Sequence, residues 1–231
     1  EPAANVAEVA KAKGVPTAPL QHAIDAAFEA VGRVHRLMSF HDEDSDVSRI
    51  NRHAAAEGVP VDAWTIRVLR RARTLFEATS GLFDCVVGFE MMQNGRLPSR
   101  GLNNVVPGTS RAVEFLPDDR IRLSAPVAID LGGIAKGFAV DRAIATLRRN
   151  GIHDAVVNAG GDMRVIGESP RMIHVRSTDP ESVLWPSGTL QNGAIASSET
   201  TGTIVRATRP GSRSLEATRN GAKAVYSVVA P

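Results

Sequence analysis

The stretch Ala128-Ile129-Asp130-Leu131-Gly132-Gly133-Ile134-Ala135-Lys136-Gly137-Phe138 concentrates residues able to do chemistry. A short apolar run delivers a carboxylate, two glycines let the backbone turn tightly and approach a ligand, and a Lys falls in the first turn of a following helix. That order suits a phosphate. Free N–H groups and the positive helix end attract the anion, Lys136 adds a point charge, and Asp130 could hold a divalent cation bridging to the phosphate oxygens. Neither G-x-x-x-x-G-K-[ST] nor G-x-G-x-x-G is present. On spacing alone, a structural strand-turn-helix with a surface Lys explains the stretch equally well.

Two further stretches repeat parts of this grammar. Val157-Asn158-Ala159-Gly160-Gly161-Asp162 is again an apolar run, a glycine pair and a carboxylate. Asp130 and Asp162 could then share one edge of a sheet, although for this stretch taken alone Asn158 and Asp162 serving only the turn backbone is the better reading. In Gly81-Leu82-Phe83-Asp84-Cys85-Val86-Val87-Gly88, Asp84 sits in an apolar surrounding and needs a partner, either a ligand or a backbone amide. Cys85 has no basic neighbour in sequence and reads as a small buried hydrophobe. The acidic run Asp42 to Asp46 lacks the central Gly and distal Glu of a calcium loop and reads as a solvated, capping loop. None of the six His residues has H-E-x-x-H spacing; His41 stands out because it follows a long helix, where its ring could stack on a planar ligand. No G-x-S-x-G elbow supports a serine hydrolase.

These residues must be positioned by a mixed set of elements. Leu20, Ile24, Ala27/Phe28, Val31, Val34 and Met38 form one stripe of an amphipathic helix ending at Ser39. A second helix is expected from an Asp62 cap through Trp64, Val68, Ala72 and Leu75/Phe76 to Gly81, and a third from Ile134 to Asn150-Gly151. Residues 112–116 and 120–123 read as a hairpin around Pro117-Asp118-Asp119. Residues 127–129 and 155–157 read as buried strands. Later strands are expected at 172–175, 193–197, 203–207 and 225–229. The fold class is α+β: a layered single domain, 1–231, with a mixed or antiparallel sheet and packed helices.

Composition narrows the function. The 231 residues carry 27 Lys+Arg and 25 Asp+Glu, a net charge of +2. The pI of 9.0 therefore rests on a small excess with no basic block behind it, which argues against nucleic acid. Seven Phe, two Trp and one Tyr are too few for base-stacking platforms. One Cys excludes an internal disulfide framework and a Cys-based zinc cluster. No window approaches the ~18 apolar residues of a membrane helix.

Together these stretches resemble the FAD:protein FMN transferases of the ApbE family. Met38-Ser39-Phe40-His41-Asp42, continuing through Asp44-Ser45-Asp46-Val47-Ser48-Arg49-Ile50-Asn51, resembles the block MSxYxxxSxxSxxN, with His41 where Tyr is usual. Gly81-Leu82-Phe83-Asp84 resembles GxFD. Residues 130–141 resemble DLGGIAKGYAVD almost throughout, residues 157–162 resemble VNAGGD, and residues 194–198 resemble AVATSG more loosely. The resemblance implies FAD as substrate, Mg²⁺ as cofactor, and FMN transfer through a phosphoester bond to a Thr or Ser of a target flavoprotein, releasing AMP. It implies that Met38, His41, Leu82, Phe83, Asp84 and Asp162 line the flavin nucleotide, that Asp130 and Lys136 act at its diphosphate, and that the Gly133 carbonyl is a metal ligand. Many members are exported lipoproteins attached through an N-terminal Cys, a part Cys85 cannot play.

Against that pattern, the N-terminal MGT strand, the HxIDPRTG block with its His, and the ADALATA segment are not found; Leu215 to Gly221 stands where the His block is expected. The expectation is a domain without its N-terminal strand, one loop near 208–224 and its C-terminal segment. An FAD pyrophosphatase giving FMN and AMP, and a catalytically silent flavin-binding protein, are the alternatives.

Overall fold

Ala23, Ala27, Val34 and Met38 form the buried stripe of α1 (Thr17–Met38) in the computed structural model, which describes residues 17–176, 184–198, 214–219 and 222–229. The expected helix is present, but its inward face is turned toward the alanines: Phe28 is 38% exposed.

The acidic run ends in a helix that periodicity does not announce, α2 (Asp46–His53). Ser45 caps it by accepting the Ser48 N–H at 3.0 Å. Asp46, expected to be solvated, is instead 2% exposed. Its carboxylate pairs with Arg49 and accepts the Asp62 N–H at 2.8 Å and the Thr65 hydroxyl at 2.6 Å. A buried carboxylate with this many donors ties the start of α2 to the start of α3 (Ala63–Ala78). Asp62 caps α3 as expected, accepting the Trp64 N–H at 2.8 Å. Ile66, Leu69, Ala72 and Phe76 face the core, and the chain leaves the helix through Ser80 (φ 54°) and Gly81 (φ 83°).

The short α4 (Gly88–Gln93) and a 3₁₀ turn at Ser110–Ala112 come next. The expected hairpin is β2 (Val113–Leu116) and β3 (Arg120–Leu123), antiparallel, with β1 (Val59–Pro60) on the far side of β3. Asp118 and Asp119 turn the hairpin with φ of 58° and 52°, a conformation Asp tolerates better than most side chains. The third expected helix is α5 (Ala135–Arg149), closed by Gly151 at φ 79°.

The chain divides into two compact units, Val31–Phe138 and Glu1–Ala30 with Ala139–Pro231. The first contains α2, α3, α4 and the three-stranded sheet. In the second, β4 (Ala155–Ala159) and β5 (Asp162–Ile166) are joined by Gly160 (φ 63°) and Gly161 (φ 98°), both positive as a tight two-residue hairpin turn requires. The pair β6 (Arg171–Arg176) and β7 (Leu184–Leu190) forms a separate ribbon. With β8 (Ala194–Ser198), β9 (Ser214–Arg219) and β10 (Ala222–Val229), the main sheet has the order β4-β5-β8-β10-β9, antiparallel throughout. The α+β class is as expected. The strand expected at 203–207 lies outside the described residues.

Residues 127–129 are buried but join no sheet among the described residues. They run so close to α4 that a β-carbon on Gly88 would stand 2.6 Å from the Ala128 Cβ and 2.9 Å from its carbonyl oxygen. Only glycine fits. Gly88→Ala should therefore destabilise the protein by about 1–3 kcal/mol, read as a lower urea midpoint with an unchanged slope.

Candidate active site

Extended backbone points the N–H and C=O of successive residues to opposite sides, so a buried segment needs partners on both. Residues 128–130 find them in two places. On one side Ala128 accepts the Gly88 N–H at 3.0 Å and Asp130 donates its N–H to the Cys85 carbonyl at 2.8 Å. On the other, the Asn51 side chain brackets Ile129: its Oδ1 accepts the Ile129 N–H at 2.7 Å and its Nδ2 donates to the Ile129 carbonyl at 2.9 Å. One α2 side chain thus stands in for a neighbouring strand, which is why the expected strand has no sheet. Asn51 was visible in the sequence only as part of a motif. The signal that could have singled it out is an amide beside Val47 and Ile50, both buried, on a short helix.

Directly beyond this segment is the Asp130 carboxyl. Burial raises its pKa above the ordinary carboxylate value, against the Gly132 N–H bond and the charge of His41, which both act to lower it. Asp130 makes no Lys or Arg ion pair among the described residues. The chain turns through Gly132-Gly133, and Leu131 accepts the N–H groups of Ile134 (2.9 Å) and Ala135 (2.8 Å) as α5 begins. Lys136 is exposed in the first turn of α5, and Gly132 and Gly133 are exposed beside it.

The ring of Phe83 approaches this turn: a β-carbon on Gly133 would lie 3.5 Å from Phe83 Cε2. Thr79 sets the ring's backbone by accepting the Phe83 N–H at 3.0 Å while donating to the Leu75 carbonyl at 2.7 Å. His41 is exposed and meets Phe40 edge-on, with ring centroids 6.2 Å apart. Asp130, Gly133, Phe83 and His41 therefore surround one corner of the Val31–Phe138 unit.

The remaining candidates differ in what they offer. Leu82 is 72% exposed and Met38 is buried. Asp84 accepts the Val86 N–H at 2.8 Å, the Ser110 N–H at 3.1 Å and the Ser110 hydroxyl. Of the two partners its apolar setting allowed, backbone amides are the ones present, and Asp84 fastens the loop carrying Phe83 to Ser110. Cys85 is buried, 3.5 Å from Ser110 Oγ, and burial pushes its thiol up to about 11. Asp162 opens β5 opposite Ala159, in the other unit.

The sequence profile of the ApbE family matches residues 5–214. This chain belongs to the ApbE family. Its curated relatives include proteins named FAD:protein FMN transferase from Vibrio cholerae, 33% identical over 64% of this chain and 46% of the relative, and from Rhodobacter capsulatus, 33% identical over 50% and 24%. The chain spans about half the length, or less, of these relatives. An ApbE protein of Thermotoga maritima is similar in structure, with a TM-score of 0.66 and 33% identity over 83% of this chain and 65% of that one. The flavin transferase ApbE of Vibrio cholerae shares the fold, with a TM-score of 0.67 and 24% identity over 87% and 74%.

A raised carboxyl pKa is a stability statement. The folded form of Asp130 holds its proton to higher pH than the unfolded form, so its favourable contribution is complete below the unfolded value of 3.8 and is lost as pH rises through the folded value. Asp130→Asn should therefore make the protein more stable at neutral pH. The gain should shrink toward zero as pH falls below about 4, measured by urea unfolding across that range.

Proposed function

We propose that this chain transfers FMN from FAD to a Thr or Ser hydroxyl of a target flavoprotein and releases AMP. The observation that carries the reading is the half-buried carboxylate of Asp130, without a Lys or Arg ion pair among the described residues, beside the Gly-Gly turn that opens α5 and its Lys136. The names of the relatives support it, as does a family match that runs through both units; residues 1–231 are read as one such domain.

The reaction asks little covalent chemistry of the protein. The acceptor oxygen forms a bond to the FMN phosphorus, the bond from that phosphorus to the bridging oxygen of AMP breaks and leaves its electron pair on AMP, and the proton of the acceptor hydroxyl is released to solvent. Catalysis then rests on positioning and on charge. Lys136 and the amides opening α5 face the negative diphosphate, where charge grows on the departing AMP oxygen. Phe83 and His41 offer ring surfaces to the isoalloxazine, and Leu82 an exposed apolar edge, while Asp84 holds the Phe83 loop in place.

Mg²⁺ is tested by the donors present. It favours one or two carboxylates completed by water and phosphate oxygens. Asp130 is such a carboxylate, and burial without a Lys or Arg partner makes a cation welcome beside it. Among the described residues no group of three His, Cys, Asp or Glu gathers, so Asp130 and the Gly133 carbonyl would hold the ion with substrate phosphate and water. Bound there, Mg²⁺ supplies further charge neutralisation at the diphosphate.

Incubation of the protein with FAD, Mg²⁺ and acceptor flavoproteins should yield a fluorescent, covalently flavinylated acceptor and AMP in equal amounts. Asp130→Ala or Lys136→Ala should lower the rate on the order of a hundredfold. FMN and AMP formed with no acceptor present would favour the pyrophosphatase, and FAD bound but unconsumed would favour a silent flavin-binding protein.

A further inference from the structure

Residues 128–130 reach the candidate site held by a side chain on one flank and by backbone on the other. Gly88 and Cys85 fix Ala128 and Asp130 from the first side, and these bonds set only that flank. The second flank depends on Asn51, which makes both of its bonds to the residue immediately before Asp130. An amide is the side chain whose donor and acceptor are spaced as in a peptide, so it satisfies N–H and C=O of one residue together. Asn51 touches neither the Asp130 carboxyl nor the Gly-Gly turn in any bond described, and its effect passes through the backbone of Ile129. Its own helix is anchored independently through Asp46, which Arg49, the Asp62 N–H and the Thr65 hydroxyl all hold, so the base of the clamp keeps its place when any one of these bonds is removed.

We infer that Asn51 is a positioning residue for the flavin-transfer reaction, its amide clamping Ile129 so that the Asp130 carboxyl stays aimed at the diphosphate site. The inference rests on the flavin-transferase reading. Without the clamp, the Ile129 N–H and C=O lose their partners, and the segment can rotate about the two bonds that remain on its other flank. Misplacement of a reacting group by about 1 Å costs on the order of a hundredfold in rate. The flavin ring surfaces, Phe83 and His41, are held by Thr79 and by the loop after α1, so they stay where they are.

The test uses the full chain with Asn51→Ala, Asn51→Asp, Asp130→Ala, the double variant Asn51→Ala/Asp130→Ala, and Thr65→Val as a control. Thr65→Val removes another polar bond of α2 away from the site. Three quantities are read: kcat and KM for FAD in the transfer assay, the affinity for FAD with and without Mg²⁺ by flavin fluorescence, and the affinity for riboflavin, which lacks the diphosphate. Asn51→Ala should lower kcat by about tenfold to a hundredfold and abolish the tightening of FAD by Mg²⁺, while riboflavin binding is unchanged. The double variant should lose no more than Asp130→Ala alone, because both changes remove the same function. Asn51→Asp keeps the acceptor for the Ile129 N–H and loses the donor; it should show the same pattern in part, and it stands in if Asn51→Ala does not fold. Thr65→Val should lower the Tm and leave all three quantities unchanged. Wild-type kcat and Mg²⁺ response in both Asn51 variants, additive losses in the double variant, or an equal loss in Thr65→Val would each overturn the clamp alone. A wild-type chain that binds no FAD and transfers no FMN would overturn the flavin-transferase reading, and the clamp's role with it.

Discussion

Everything proposed for the active corner depends on how one buried, extended stretch of backbone satisfies its hydrogen bonds. Residues 128–130 carry Asp130 to its place without a sheet around them, and a buried amide or carbonyl left without a partner costs about 1–3 kcal/mol. Gly88 allows α4 to come close enough to serve one flank. Asn51 serves the other. The position of the carboxylate follows from these two neighbours and not from the strand that its apolar sequence suggests.

The same economy governs the carboxylates. Asp46 and Asp84 are surrounded by donors and hold the structure together. Asp130 has one backbone donor and the more distant His41, so burial prevails. Three acidic side chains of like chemistry are thus divided by environment into two fasteners and one group with an unmet preference for positive charge. That contrast identifies Asp130 more sharply than its place beside two glycines.

Much of this was readable in the residues. The helices with strong periodicity are where the residues put them, α1 ending before Ser39 and α3 and α5 bounded by Asp62, Gly81 and Gly151, and the hairpin of β2 and β3 turns at Asp118-Asp119. The short helices were not readable, because α2 and α4 have eight and six residues and so too few turns to display a period. The acidic run before α2 looked solvated because sequence shows charge but not the donors that meet it: Thr65 and the Asp62 amide lie 19 and 16 positions away from Asp46. Asp130, Gly133 and Lys136 could be chosen from one contiguous motif. Asn51 could not be given its role, since its partner lies 78 residues along the chain.

Cys85 carries a consequence of a different kind. It is the chain's single cysteine, and its thiol is buried with a pKa of about 11. At neutral pH only about one molecule in ten thousand holds the reactive thiolate, so the thiol is a poor nucleophile while the fold stays closed. A thiol-specific dye would find its target only when the segment packed on Ser110 opens. The molecule therefore contains its own reporter: the rate of labelling at one native atom would time the opening of the scaffold beneath the proposed flavin site.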